Sequence, residues 1–305
     1  MAMIPLMTDE KQKETIIFRS DMLPYGLYMP GPKGCFYGDI PWHWHDEFEF
    51  GYLIGGSMIY KTQLHEYVLH EGDGIFINSG TLHYLHPLEP CENVQLQSQF
   101  FDKSFLAGAA GSVFDLKYIT PVQEQRRFDA FPLYRKDSGS RTFLDRLGDA
   151  AAISRQGENF YELRLRSLFS ELWESVYTWA ASCQSEKPLY DPSDNDRIKK
   201  ILQFMQQHYS EHLEVRAIAA HIPVSERECY RLFKNCLGMS PMEYLTTLRL
   251  AQARELLMST QKNILEIAVE TGFGNSSYFG KLFKQQHHMT PKQYRSFAVK
   301  GAANR

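Results

Sequence analysis

Three histidines and a glutamate are spaced so that they can act together. His43 and His45 are separated by one residue, Glu49 follows four residues after His45, and His83 lies further along the chain. Imidazole and carboxylate groups bind divalent metals, and they also form hydrogen bonds with polar small molecules. The set therefore predicts a binding site, either for a metal or for a polar ligand inside an apolar cavity.

β-Strands must position these side chains. Up to about residue 100, glycines separate short segments rich in β-branched and aromatic residues: EFEFGYLIGG, SMIYKT, EYVLHEG and GIFINS. Because alternate residues of a strand point to the same side, His43 and His45 should face one cavity, while Trp42 and Trp44 pack in its wall.

Two helices are predicted after the strands, in RTFLDRLGDAAAIS and NFYELRLRSLFSELWESVYTWAAS. The second has one continuous apolar face, which consists of Leu165, Leu168, Phe169, Leu172, Trp173, Val176 and Ala180. This face either packs on the strands or lies between two copies of the chain. The sequence leaves both interpretations open.

The segments that carry the four binding residues resemble the two motifs of the cupin family. HWHDEFEFGYLIGG is similar to the first motif and GDGIFINSGTLH to the second, although Asn78 stands where proline is usual and Pro87 where asparagine is usual. The resemblance implies a small β-barrel in which three imidazoles and a carboxylate hold manganese, iron or zinc. Barrels of regulators also keep such residues without a metal. The residues expected to bind an effector, or alternatively a divalent metal, are His43, His45, Glu49 and His83.

The last third of the chain contains one helical module twice. Each copy has a short apolar helix, a turn, and a second helix opened by a capping residue, Ser225 in the first copy and Asn275 in the second. This pattern is typical of a helix-turn-helix. Residues that recur 49 or 50 positions later are Ile218, Ala219, Leu232, Phe233, Lys234, Met239, Pro241 and Tyr244.

The exposed side of each second helix is the predicted DNA-contacting surface. Helices of this type place their early residues and the next turn against base edges, and flanking basic groups on phosphates. In the first copy we expect base contacts from Arg227, Tyr230 and Arg231, with Lys234 toward a phosphate. Arginine can bind guanine through two hydrogen bonds, so this copy should read sequence more sharply. The residues expected in the second copy are Ser276, Ser277, Tyr278 and Lys281, with Lys284 toward a phosphate.

Charge and helix length both favour DNA as the partner of this half. From residue 194 onward there are 16 Lys and Arg against 10 Asp and Glu. The residues before 194 have 17 Lys and Arg against 26 Asp and Glu, so the first half is acidic and the second basic. The segment PMEYLTTLRLAQARELLMST predicts a helix between the copies. Its roughly 17 residues span about 25 Å. Such a helix can hold two recognition helices near the ~34 Å repeat of successive major grooves.

The second copy, GFGNSSYFGKLFKQQHHMTPKQYR, together with the first, resembles the AraC/XylS family of bacterial transcription regulators over about residues 195 to 297. Cys229 and His288 depart from the usual pattern without changing the expected fold. The resemblance implies a cupin-like β-barrel with a helical hairpin at 1–185, which binds an effector and dimerises, and a linker at 186–194. An all-α DNA-binding domain with two helix-turn-helix modules joined by a helix then occupies 195–300. A sugar or sugar derivative as effector, a homodimer, contact with RNA polymerase and activation of transcription are also implied.

Composition excludes several other classes of protein. The 305 residues, 43% of them hydrophobic, suffice for two domains, and no apolar run reaches membrane length. The apolar stretch in the first residues, MAMIPLMTDEKQKE, is too short for a signal peptide. The five cysteines, at 35, 91, 183, 229 and 236, lack the spacing of a metal site or a disulfide framework. We therefore expect a cytoplasmic regulator that is not an enzyme and has no resident cofactor beyond the metal alternative. The competing class is a metallocupin enzyme or metal sensor fused to a DNA-binding domain.

Overall fold

The computed structural model describes residues 14, 16, 18, 22–28, 39–88, 93–125, 127–183, 192–287 and 289–296. These residues form two compact units, the first extending to Cys183 and the second beginning at Pro192. Cys35, Cys91, His288 and most of the predicted linker at 186–194 lie outside the described residues. A helix begins at Pro192, inside the predicted linker, and the domain bounds stay a prediction.

Strands dominate the first unit, as the alternating segments predict. Glycines and polar turns separate the strands, and the segment predictions around residues 47–79 each match one strand. The strands of the described part are β1 Tyr25–Tyr28, β2 Ile40–His43, β3 Phe48–Gly55, β4 Ser57–Thr62, β5 Glu66–His70, β6 Gly74–Ile77, β7 His83–Pro87, β8 Gln95–Phe101 and β9 Ala130–Leu133.

Two antiparallel sheets face each other across an apolar interior. One has the order β1-β8-β3-β6-β9 and the other the order β2-β7-β4-β5. Leu53 and Ile75 of the first sheet pack with Tyr60 and Leu85 of the second in one buried cluster. Because side chains alternate along a strand, the phenylalanines of β3 point to the opposite side of the first sheet. The arrangement is the cupin-like antiparallel β-domain that the motifs predict.

Helices cover the outer side of the first sheet. They are α1 Lys103–Ala107, a π-helical turn Asp115–Ile119 that continues into α2 Thr120–Gln123, and the antiparallel pair α3 Ser138–Gln156 and α4 Tyr161–Ser182. The predicted apolar face of α4 is buried together with Phe48, Phe50, Phe76 and Phe101 of the sheet. That face packs on the strands and is therefore not a surface between two copies.

The second unit consists of helices throughout its described residues. They are α5 Pro192–His208, α6 Val215–His221, α7 Glu226–Leu237, α8 Pro241–Ser259, α9 Ile264–Glu270 and α10 Ser276–His287. The pairs α6–α7 and α9–α10 are the two predicted modules, and α8 joins them. Across the described part of the chain, helices fall short of the length and apolar character needed to span a membrane.

Local signals in the sequence account for the ends of these helices. The Ser225 hydroxyl accepts from the Glu228 amide at 3.2 Å, and the Asn275 carboxamide oxygen accepts from the Ser277 amide at 2.8 Å. Gly272 follows α9 with φ 78°, a conformation that side chains disfavour. Apolar residues at helical spacing in the two modules predict their core, and Ile218, Cys229, Leu232, Phe233, Ile267, Phe273, Phe279 and Phe283 are buried. Val224 and Leu282 of the same set are only half-buried.

Candidate functional site

The four residues predicted to act together meet in the interior of the barrel. His43 of β2 lies directly opposite His83 of β7, and their ring centroids are 4.1 Å apart. Glu49 enters from β3 in the other sheet, between two phenylalanines that point to the helices. His45 lies beside them, and each of the four residues is at most 3% exposed. The strands thus bring together groups that lie up to 40 residues apart in sequence.

Backbone carbonyls orient all three imidazole rings. The Nδ1 atoms of His43, His45 and His83 each bond a carbonyl two residues away in the chain, at 2.8, 2.9 and 2.9 Å. Because a carbonyl oxygen only accepts, each Nδ1 carries its hydrogen. In the neutral rings of His43 and His83, Nε2 then presents a lone pair, whereas His45 Nε2 is hydrogen-bonded to the Glu49 carboxylate.

The Nε2 atoms of His45 and His83 approach the Glu49 carboxylate, whereas His43 Nε2 lies near Glu14. His45 Nε2 lies 3.3 Å and His83 Nε2 lies 3.7 Å from Glu49 Oε2, and the Ser98 hydroxyl donates to Oε1 at 2.7 Å. The donor atoms of His45, Glu49 and His83 all fall within 4.8 Å of one another. His83 Nε2 is buried without a hydrogen-bond partner. This atom is therefore available to a bound group.

Burial and mutual charge set the protonation of the cluster. Burial lowers the pKa of His43 to about 3, and burial together with the neighbouring histidines holds the pKa of His83 well below its usual value. Burial opposes charge on His45 and Glu49 as well, but their mutual hydrogen bond raises the pKa of His45 and lowers that of Glu49. His43 and His83 are therefore neutral imidazoles at pH 7.

Glu14 joins the cluster, although nothing in the sequence marked it. Its amide donates to the Trp44 carbonyl at 2.7 Å, and its carboxylate Oε2 lies 3.7 Å from His43 Nε2. Burial raises the pKa of Glu14 to about 7. The residue precedes the first motif by 29 positions, in a segment without strand periodicity, so only the tertiary fold reveals its place.

The donor set fits either predicted occupant. Imidazoles and carboxylates are the ligands that first-row divalent metals prefer, and the donor atoms of His45, Glu49 and His83 lie close enough together to hold such an ion. The structure does not place the predicted fourth ligand, His43, in that group. The same groups can hydrogen-bond the hydroxyls of a polar effector, with the Phe100 ring 5.1 Å from that of His45 as an apolar wall. The geometry thus defines one buried polar site in the barrel.

The second candidate surface lies on the recognition helices α7 and α10. Arg227, Tyr230 and Lys234 are exposed at helical spacing along α7. On α10, Ser277, Tyr278, Lys281 and Lys284 are exposed, and Ser276 is half-buried. The predicted residues on each helix therefore reach the surface from rigid helical positions.

Arg231 differs from its neighbours because the second unit itself binds its guanidinium. Its Nε donates to Glu228 at 2.8 Å, and its Nη2 donates to Glu228 at 2.6 Å and to both oxygens of Asp194 at 3.0 and 3.1 Å. Arg197 approaches both carboxylates at 3.8 Å. We call Asp194, Arg197, Glu228 and Arg231 the α5–α7 ion cluster. It favours a structural role for Arg231 over the predicted base contact.

Comparison with known proteins assigns both units. Residues 35–173 match the family model described as AraC-like ligand binding domain, and residues 218–296 match that described as helix-turn-helix domain. The HTH-type transcriptional regulator YdeC of Bacillus subtilis is 27% identical over 290 residues, which cover 94% of this chain and 97% of that protein.

Two further proteins show similar coverage. The HTH-type transcriptional activator RhaS of Yersinia pseudotuberculosis is 26% identical over 92% of this chain and 96% of its own length. The structure of ToxT from Vibrio cholerae aligns with 89% of this chain and 97% of that chain, with a TM-score of 0.48 and 14% identity. With a ligand-binding domain followed by a helix-turn-helix domain along its length, the protein belongs to the AraC family of transcriptional regulators.

Proposed function

We propose that a small molecule bound in the barrel controls how the second unit binds promoter DNA. The observation that carries the proposal is that one chain combines a buried polar site with two exposed recognition helices. A ligand can shift DNA binding only if it prefers one conformational state of the chain, because equal affinity for both states shifts nothing. The relatives are named as regulators, which supports a regulatory rather than an enzymatic role.

The effector that fits best is a sugar or sugar derivative. His43, His45, Glu49 and His83 offer both donors and acceptors, and hydroxyl groups can use either. The surrounding apolar interior favours a small ligand that buries most of its surface. The name of the Yersinia relative, a transcriptional activator, supports activation as the sign of regulation.

Homodimerisation and contact with RNA polymerase complete the proposed mechanism. The dimer surface must lie elsewhere than the apolar face of α4, since that face covers the first sheet. Candidates for this dimer surface are Phe160 and Leu163, which lie at the start of α4 and are each 68% exposed. Both partners stay predictions from the family resemblance.

A two-step experiment tests the role of the barrel. Full-length protein is screened by thermal shift against a panel of sugars, and a stabilising sugar is then added to a DNA-binding titration with the upstream promoter region. We expect at least a severalfold change in DNA affinity in the wild type. Glu49→Gln should lose the response to the sugar while still binding DNA, and the exposed control His70→Ala should keep both. A sugar that stabilises the protein but leaves DNA affinity unchanged would contradict the proposal.

A further inference from the structure

We propose that Arg249 of α8 sets the spacing between the two recognition helices, because it ties the end of α5 to the turn before α10. Arg249 is a positioning residue, which acts on DNA binding through α7 and α10. The inference rests on the prediction that both of these helices contact bases. It needs no effector in the barrel, so it can fail separately from the proposed regulation by a small molecule.

The Arg249 guanidinium holds the carboxyl end of α5. That helix ends at His208, and carbonyl groups at a helix end lack partners within the helix. Arg249 Nε donates to the Tyr209 carbonyl at 2.7 Å, and Nη2 donates to the Glu211 carbonyl at 2.7 Å. One planar group thus binds two backbone positions between α5 and α6. The single nitrogen of a lysine could not reproduce this fork.

The same side chain lies against the turn of the second module. The guanidinium carbon of Arg249 is 6.0 Å from the centre of the Phe273 ring, within the range of a cation–π contact. Phe273 is buried, and its ring centroid lies 5.2 Å from that of Phe279 in α10. Arg249 therefore contacts the core on which the second recognition helix packs.

Gly272 allows the turn to approach this closely. A Cβ atom at position 272 would lie 2.8 Å from both Arg249 Nε and the Tyr209 carbonyl oxygen. These distances are well inside van der Waals contact, so a larger residue would push the turn away from both groups. Besides ending α9, the glycine thus lets the second module rest directly on Arg249 and the end of α5.

The other end of α5 is held to the first recognition helix. Asp194, in the first turn of α5, accepts from Arg231 of α7 at 3.0 Å. The contacts of Arg231 and Arg249 therefore connect α7, through α5, to the turn before α10. Arg249 lies in the middle of α8, so this path adds to the covalent connection between the modules. Without it, the modules could move about the two ends of α8.

Binding to duplexes of altered spacing tests the proposal in the full-length protein. The duplexes carry the two half-motifs that the wild type selects from a random library, with one base pair added or removed between them. Each added base pair moves the second half-motif by about 3.4 Å and rotates it by about 35°. We expect the wild type to bind the altered duplexes about 10-fold more weakly, as for one mismatched base pair.

Arg249→Met should tolerate the altered spacing better than the wild type. We expect its penalty to fall to about 3-fold, half of the wild-type free energy, while the base preference within each half-motif stays unchanged. Arg249→Lys keeps the charge but reaches only one carbonyl, so its penalty should lie between the two. Arg216→Met makes the same chemical change at an exposed arginine of α6 and should keep the wild-type penalty.

The ratio of affinities separates spacing from stability. Loss of stability alone would lower the amount of active protein equally for every duplex and leave the ratio unchanged, and circular dichroism shows whether each variant is folded. A folded Arg249→Met protein with the wild-type penalty would overturn the role of Arg249. A wild type that tolerates altered spacing, or selects no second half-motif, would overturn the fixed spacing, while the effect of a sugar on DNA affinity would still be decided by its own titration.

Discussion

Arg231 and Arg227 stand one helical turn apart on α7 but have different surroundings. Asp194, only 2% exposed, and Glu228 both accept from Arg231, whereas Arg227 is exposed. Hydrogen bonds with these carboxylates raise the pKa of Arg231 further. We infer that Arg231 holds α7 against α5, and that Arg227 is the arginine free to reach a base.

The two arginines should therefore respond differently to truncation. Arg227→Ala should cost about 1–3 kcal/mol on the selected site and relax the preference at one base pair. Arg231→Ala should weaken binding by a similar factor on all sequences and lower the stability of the second unit by about 1 kcal/mol, since its guanidinium is half-exposed. Competition binding and denaturation followed by circular dichroism measure the two effects. Loss of preference at a single base pair in Arg231→Ala would restore its predicted base contact.

Lys284 of α10 tests the predicted phosphate contact. Its removal in Lys284→Ala should reduce the slope of log affinity against log salt by about one unit, because one fewer counterion is released from DNA. Lys262→Ala is a matched control, since Lys262 is paired with Glu270 at 2.6 Å and should leave the slope unchanged. An unchanged slope for Lys284→Ala would place that side chain off the DNA.

At the scale of elements, α4 shows why an apolar stripe alone does not identify its partner. Periodicity predicted the helix and the seven buried residues, but a stripe of that width suits a sheet or a second chain equally. The structure resolves the choice because the phenylalanines of β3, β6 and β8 occupy the same cluster.

Truncation on the two sides of α4 should separate packing from association. Leu172→Ala, at a residue only 4% exposed, should destabilise the first unit by about 2–5 kcal/mol through the lost contacts and the cavity left behind. Leu163→Ala, on the exposed side of the same helix, should be nearly neutral for folding. Tryptophan fluorescence follows this unit, because all four tryptophans lie in it. Equal stability of the two variants, with dissociation of oligomers in Leu172→Ala alone, would contradict the assignment.

Local patterns predicted elements well and long-range contacts poorly. β3 to β6, the α3–α4 hairpin and α8 follow from periodicity and turn residues, and the tryptophans beside His43 and His45 are buried as strand alternation predicts. β9 was missed because four residues, isolated from the other strands, carry too little periodicity. The Ser225 hydroxyl caps α7 as predicted. The Glu228 carboxylate binds Arg231, within a cluster that includes Asp194, which lies 37 residues from Arg231 in the sequence.

Across the whole molecule, the two halves of the chain carry net charges of opposite sign. The first half is acidic and surrounds a buried polar site, while the second has 16 basic residues against 10 acidic ones and contains the two recognition helices. Within the second unit, α8 has 19 residues. At 1.5 Å per residue it is about 28 Å long, which suits successive major grooves about 34 Å apart.

Selection of binding sites from a random DNA library by the full-length protein tests whether α7 and α10 both contact bases. We predict an enriched site with two half-motifs about 10 base pairs apart. Arg227→Ala should relax preference in one half-motif only, and Tyr278→Ala in the other only. Enrichment of a single short motif, or of no sequence above non-specific binding, would contradict the prediction that one chain reads two adjacent grooves with α7 and α10.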